Sequence, residues 1–196
     1  MRYLRTSAVV FCVVLAAMLS VSTASATCTQ GLQCGFNCYQ YLYNVNFSQT
    51  AGCGWSYTDG SSAILSGGSD MCGIYGSYVM LSKPSSNSWN TTDTYQSIAI
   101  PSGESRTHWL VGYNVKVNDP NLSASNAAYV YVYDVTTSTV VATGTTYYGT
   151  GDPDCGSRSF SFTGNYGGHT LEVIIHAVVV NTNTHFYFTN LQLDVS

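Results

Sequence analysis

Positive charge is what this chain has least of. Lysine and arginine together number six among 196 residues, and two of these, Arg2 and Arg5, lie in the first five positions. The others, Lys83, Arg106, Lys116 and Arg158, are scattered, so no basic stripe exists to meet phosphates. Nucleic acid and anionic membrane surfaces are therefore excluded as partners. Glutamate is rarer still, with Glu104 and Glu172 alone. Glycoside hydrolysis needs two carboxyl groups flanking one bond, and nothing in the sequence pairs these two. His108, His169, His176 and His185 lack metal-ligand spacing, no Cys-x-x-Cys occurs, and no Gly-x-Ser-x-Gly elbow is present. Zinc and serine-nucleophile chemistry find no support in such a pattern, and no metal or cofactor is expected. Long apolar runs are also missing after the first twenty residues, so no second membrane-length segment follows.

The single apolar run reads as a leader. Arg2 and Arg5 form a positive start, Ser7 to Leu19 is apolar, and Ala24-Ser25-Ala26 is a small-residue cleavage site. Residues 1–26 are thus expected to be a signal peptide, with the mature chain starting at Thr27. The protein is expected to be secreted, or periplasmic in a Gram-negative bacterium. Residues 27–196 are long enough for one domain with a sizeable core. Cys12 leaves with the leader. Six cysteines remain, Cys28, Cys34, Cys38, Cys53, Cys72 and Cys155. An even count in an exported chain implies disulfides, with 15 pairings open. Five of the six precede Gly73, which predicts a stapled N-terminal region, with residues 27–42 as a Cys-rich extension.

What is abundant is tyrosine, 16 residues, among many Ser, Thr, Asn and Gly. Strands are expected over Tyr43–Ser48, Ser62–Ser66, Ile74–Ser82, Thr94–Ile100, His108–Asn118, Ala127–Val135, Thr139–Tyr147 and Ser157–Thr163. Two more lie in His169–Val195. Turn residues separate them and no helix periodicity appears. The expected fold is all-β, an antiparallel β-sandwich or jelly roll. In the last quarter, Leu171, Val173, Ile175, Ala177 and Val179 share one parity. Farther on, Tyr187, Thr189, Leu191, Leu193 and Val195 share another, against Phe186, Phe188, Asn190, Gln192 and Asp194. The short link Asn181–Thr184 suggests that these two strands form an antiparallel hairpin.

Several residues suit an uncharged, hydroxyl-rich ligand. Sugar rings present C–H patches that stack on aromatic faces, and their hydroxyls need donors and acceptors. Tyr129, Tyr131 and Tyr133 form one row of a strand. His108, Asn114 and Lys116 share a parity of another, and His176 opposes the apolar row of the last quarter. Together these rows would make a shallow aromatic-polar groove, with Trp55 and Trp89 as stacking platforms in loops. The opposite arrangement has the tyrosine row in the core, with Asp134 marking the exposed end of the valine row.

Asn44-Val45-Asn46-Phe47, Gly54-Trp55, Tyr95-Gln96-Ser97-Ile98-Ala99-Ile100-Pro101-Ser102-Gly103 and Tyr187-Phe188-Thr189-Asn190-Leu191-Gln192-Leu193 occur in that order. In this the chain resembles the CenC-type carbohydrate-binding modules of the galactose-binding-like jelly-roll class, over about residues 43–195. The resemblance implies a sandwich that binds glycans without catalysis. It departs where that family has an aromatic followed by aspartate, one of which helps hold a structural calcium. Thr189 and Asn190 stand there, a poor donor set for a hard cation. Ser48 likewise replaces an acidic residue usual after the opening Phe. Asp152 and Asp154 are the alternative calcium ligands, or simply a turn. The reading is a secreted module for a neutral polysaccharide or glycan. A structural or adhesive extracellular protein, whose sheet edges or tyrosine-rich faces contact copies of itself or a protein partner, and a small secreted polysaccharide hydrolase or lyase are the alternatives.

Overall fold

A computed structural model describes residues 39–43, 47, 54–58, 62–65, 77–83, 91–119, 122–149 and 156–196. The predicted leader, all the cysteines and hence the disulfide staple, Trp89, and the Asp152–Asp154 loop lie outside them. So does most of the strand expected over Tyr43–Ser48. The described residues form β1 (Tyr39–Gln40), β2 (Ser56–Tyr57), β3 (Ser62–Leu65), β4 (Tyr78–Ser82), β5 (Thr91–Ala99) and β6 (His108–Asn118). These are followed by β7 (Ala127–Asp134), β8 (Thr139–Thr143), β9 (Tyr147–Tyr148), β10 (Gly156–Thr163), β11 (Thr170–Val178) and β12 (His185–Val195).

Two antiparallel sheets result. The first runs β10-β6-β12-β4-β3, with β1 against the end of β12, and the second runs β2-β5-β11-β7-β8, with β9 against β7. Strict alternation decides what lies between them. Trp109, Val111, Tyr113, Val115 and Val117 of β6 turn inward, as do Ala128, Val130 and Val132 of β7 and Leu171, Val173, Ile175 and Ala177 of β11. Full burial of such side chains stabilises by roughly 1.5–3 kcal/mol each, so these facing rows are the sandwich's main adhesive. The architecture is the expected all-β sandwich of the jelly-roll class.

Two expectations about the last quarter are corrected. β11 and β12 do not form a hairpin. β11 lies between β5 and β7 in the second sheet, and β12 lies between β6 and β4 in the first. Their link crosses from one sheet to the other, held by Asn126, whose Oδ1 accepts from Val180 N at 2.7 Å and whose Nδ2 donates to Thr184 Oγ1 at 2.9 Å. Two strands with one apolar row each can share a sheet or face each other across a core, and here they face. The parity of β12 also changes midway. Thr189 aligns with Asn114 and Gln192 with Gly112, so Asn190 and Leu191 oppose the single residue Tyr113. This is a β-bulge, with Asn190 at φ 52°, a conformation asparagine tolerates better than most residues. The extra residue lets Phe186 and Phe188 join Leu191, Leu193 and Val195 in the core. A strict two-residue period had separated them.

Asp134 does not mark an exposed end. It is 2% exposed and closes the turn after β7, accepting from Thr136 N at 2.9 Å, Thr137 Oγ1 at 2.8 Å and His169 Nδ1 at 2.7 Å.

Candidate functional site

Because Ala128, Val130 and Val132 fill the core, Tyr129, Tyr131 and Tyr133 stand on the outer face of the second sheet. Cross-strand register then assembles three rows there. Ser97, Glu172 and Tyr133 lie in one, Tyr95, Ile174 and Tyr131 in the next, and Asp93, His176 and Tyr129 in the third. The middle row has an apolar floor, since Ile174 is 7% exposed even though it faces outward.

The third row carries the polar chemistry. His176 Nδ1 lies 2.6 Å from Asp93 Oδ1. An ionised carboxylate can only accept, so Nδ1 is the donor and Nε2 is the nitrogen left for another partner. The imidazole sits 5.0 Å from the Tyr129 ring at 44°, and Tyr129 sits 5.7 Å from Tyr131 at 41°. Imidazole and two phenols therefore form a continuous tilted series. In the first row Ser97 Oγ donates to Glu172 Oε1 at 2.6 Å, leaving the second carboxylate oxygen as an acceptor. Burial, followed by the nearby charge of Asp93, pushes the Tyr131 phenol up to about 12. It stays a neutral hydroxyl, able to donate and accept, across the physiological range. No lysine or arginine occurs in β5, β7, β8 or β11. Among the described residues no group of three His, Cys, Asp or Glu could hold a metal ion.

The predicted groove is thus assembled only in part. Tyr129, Tyr131, Tyr133 and His176 come together, but His108, Asn114 and Lys116 do not join them. Those three lie on β6 in the first sheet, with the core between. β6 and β7 are adjacent in sequence but pass to different layers, so equal parity does not give a common surface. Asn114 is moreover only 8% exposed. Trp55 is no platform either. It is 2% exposed, its ring lies 5.1 Å from that of Phe47, and its Nε1 donates to Tyr43 O at 3.2 Å.

Asp93, Tyr95, Ser97 and Glu172 were missed as members of the face. On β5 the buried row is Thr92, Thr94, Gln96 and Ile98, mostly polar. An apolar count therefore gives the strand no clear inward side. Gln96 explains the inversion, since its Oε1 accepts from Tyr43 N at 2.7 Å and its Nε2 donates to Tyr43 O at 3.1 Å. The side-chain amide takes the place of a neighbouring strand.

A second concavity lies at the β5–β6 connection, which joins the two sheets. It is a cleft of about 350 Å³ between Tyr39, Tyr41, Pro101, Gly103, Glu104 and Arg106.

Two antiparallel sheets packed through their apolar rows define a β-sandwich of the jelly-roll class. Comparison with known proteins gives the same fold. TmCBM61, solved in complex with β-1,4-galactotriose, is similar with a TM-score of 0.58 at 9% identity, over 79% of this chain and 97% of that one. A Stig cyclase from Fischerella sp. TAU, complexed with an indole derivative, has a TM-score of 0.59 at 11% identity, over 82% and 98%. The enzymatically active domain of tailspike protein 4 from bacteriophage CBA120 gives 0.54 at 13% identity, over 80% and 21%. No family model and no curated protein matches the chain. At these identities the likeness is one of fold.

Proposed function

We propose that this protein binds a neutral glycan across the outer face of its second sheet, without covalent chemistry. The observation that carries this reading is the single face holding Tyr129, Tyr131 and Tyr133 beside the Asp93–His176 pair. Sugar C–H faces would lie on the phenol rings. The free Nε2 of His176, the tyrosine hydroxyls, Ser97 and Glu172 would take the hydroxyls. Two carboxylates and no fixed cation on the face disfavour uronate and sulfated chains.

The test is binding to a panel of β-glucan, xylan, β-1,4-galactan and mannan, with pectin as acidic control, by pull-down and calorimetry. Tyr131→Ala should weaken binding roughly ten-fold, about 1.4 kcal/mol, as expected for one stacking ring, while Leu110→Ser on the opposite sheet should not. A blank panel, or equal affinity for wild type and Tyr131→Ala, would sink the proposal. If the panel is blank and light scattering shows ordered assembly that Tyr131→Ala abolishes, the face is an adhesive one. Release of new reducing ends would point to hydrolysis.

A further inference from the structure

The cleft at the β5–β6 connection is built around a charge that is already neutralised. Glu104 carboxylate oxygens receive Arg106 N at 3.0 Å, Arg106 Nε at 2.8 Å, Arg106 Nη2 at 2.5 Å and the Tyr41 hydroxyl at 2.5 Å. The Glu104 side chain is 5% exposed and the Arg106 side chain 34%. Glu104 is thus spent on holding Arg106. The guanidinium has five N–H donors in a fixed fork, of which Nε and Nη2 reach back to Glu104 and one borders the Tyr41 hydroxyl. The Arg106 side chain also lines the cleft. Its guanidinium carbon lies 5.8 Å from the centre of the Tyr39 ring, which forms one wall with Tyr41 edge-on to it at 4.8 Å. Pro101 and Gly103 complete the lining.

An aromatic wall, an aliphatic ring and a pre-oriented donor fork of no net charge match one kind of ligand. We infer that this cleft is a second carbohydrate site, taking one neutral sugar residue with its ring against Tyr39 and its hydroxyls on Arg106. The volume, about 350 Å³, is at the small end of the roughly 300–1,000 Å³ of small-molecule sites. It suits a single residue or a chain end rather than the run of a polymer. The ligand class rests on the glycan reading above, but the cleft shares no residue with the sheet face.

Gly103 supplies the means of testing it. Gly103 lines the cleft and a Cβ added there meets no atom within 4 Å, so Gly103→Phe is expected to crowd the cleft while the fold is kept. Methyl glycosides of glucose, galactose, mannose and xylose, with galacturonate as the anionic control, are titrated into ¹⁵N-labelled protein. The Arg106 Nε–H signal reports on the cleft, and the Tyr129 and Ile174 amides report on the sheet face. At least one neutral glycoside should shift Arg106 saturably, in wild type and in Tyr131→Ala alike. Gly103→Phe should abolish that shift with the spectrum otherwise preserved, and Tyr39→Ala should weaken it at least ten-fold. The inference is overturned if no glycoside moves Arg106, if the shift survives Gly103→Phe, or if galacturonate alone produces it. An Arg106 response with a silent sheet face would leave the cleft standing and remove the sheet-face proposal. The reverse pattern would do the opposite.

Discussion

Asp194 and Glu104 show what burial does to a carboxyl group with and without partners. Asp194 is buried on β12 and its Oδ1 has no hydrogen-bond partner, so desolvation pushes it up to about 6. An acid whose folded value exceeds its unfolded one, about 3.9, binds its proton better in the folded state. Its contribution favours folding below about pH 4 and is lost as pH rises through 6. Asp194→Asn should therefore stabilise the protein by about 1–3 kcal/mol at pH 7 and change little at pH 3, measured by urea unfolding at both. An equal effect at the two pH values would mean that the carboxyl group is solvated. Glu104 has the opposite sign. The Arg106 hydrogen bonds, aided by the Tyr41 hydroxyl, hold it down to about 2 against burial. Its contribution is present above about pH 4.3 and disappears as pH falls towards 2. Acid should therefore weaken the Glu104–Arg106 clamp, so Glu104→Gln should destabilise the protein at pH 7 and have a smaller effect near pH 2, by urea unfolding at both.

At the level of single strands, β12 depends on its bulge. Asn190, at φ 52°, can be replaced by Gly at little cost. Asn190→Val should cost about 1–3 kcal/mol, because a β-branched residue is strained there. Thermal or denaturant unfolding of the pair would check this, and equal stability would show that the strand re-registers. The inward rows of β6 and β11 were readable from sequence because apolar side chains alternate there without interruption. The alternation of Tyr129, Tyr131 and Tyr133 was just as plain, but which side of β7 faces inward was not, since three phenols can fill a core as well as Ala128, Val130 and Val132 do. The break in β12 was not readable, since one inserted residue reverses parity while each half still alternates. Nor was the inward row of β5, where Gln96 and two threonines stand in place of apolar groups. Parity says which side chains face a core but not which layer a strand enters. That is why His108, Asn114 and Lys116 were grouped with residues on the far side.

For the whole molecule, the scarcity of fixed cations makes a prediction about solution behaviour. Stacking and neutral hydrogen bonds are barely screened, whereas exposed charge contacts weaken as the Debye length shrinks from about 10 Å at 0.1 M towards about 3 Å at 1 M. Glycan affinity should change less than about two-fold between 0.05 M and 0.5 M sodium chloride, by calorimetry. A steep salt dependence would mean that ionic contacts rather than the tyrosine face dominate.

The crossing of the last link between layers has a consequence for how the molecule is made. β12 is paired with β6 and β4, and its final residues hold β1, Val195 lying opposite Tyr39. The first strand described thus pairs only once β12 is present, and no segment before β12 can complete the first sheet by itself. Pairings this distant in sequence close slowly. The sandwich therefore closes as a whole: until β12 is in place between β6 and β4, the inward rows of the second sheet have no complete layer to cover them.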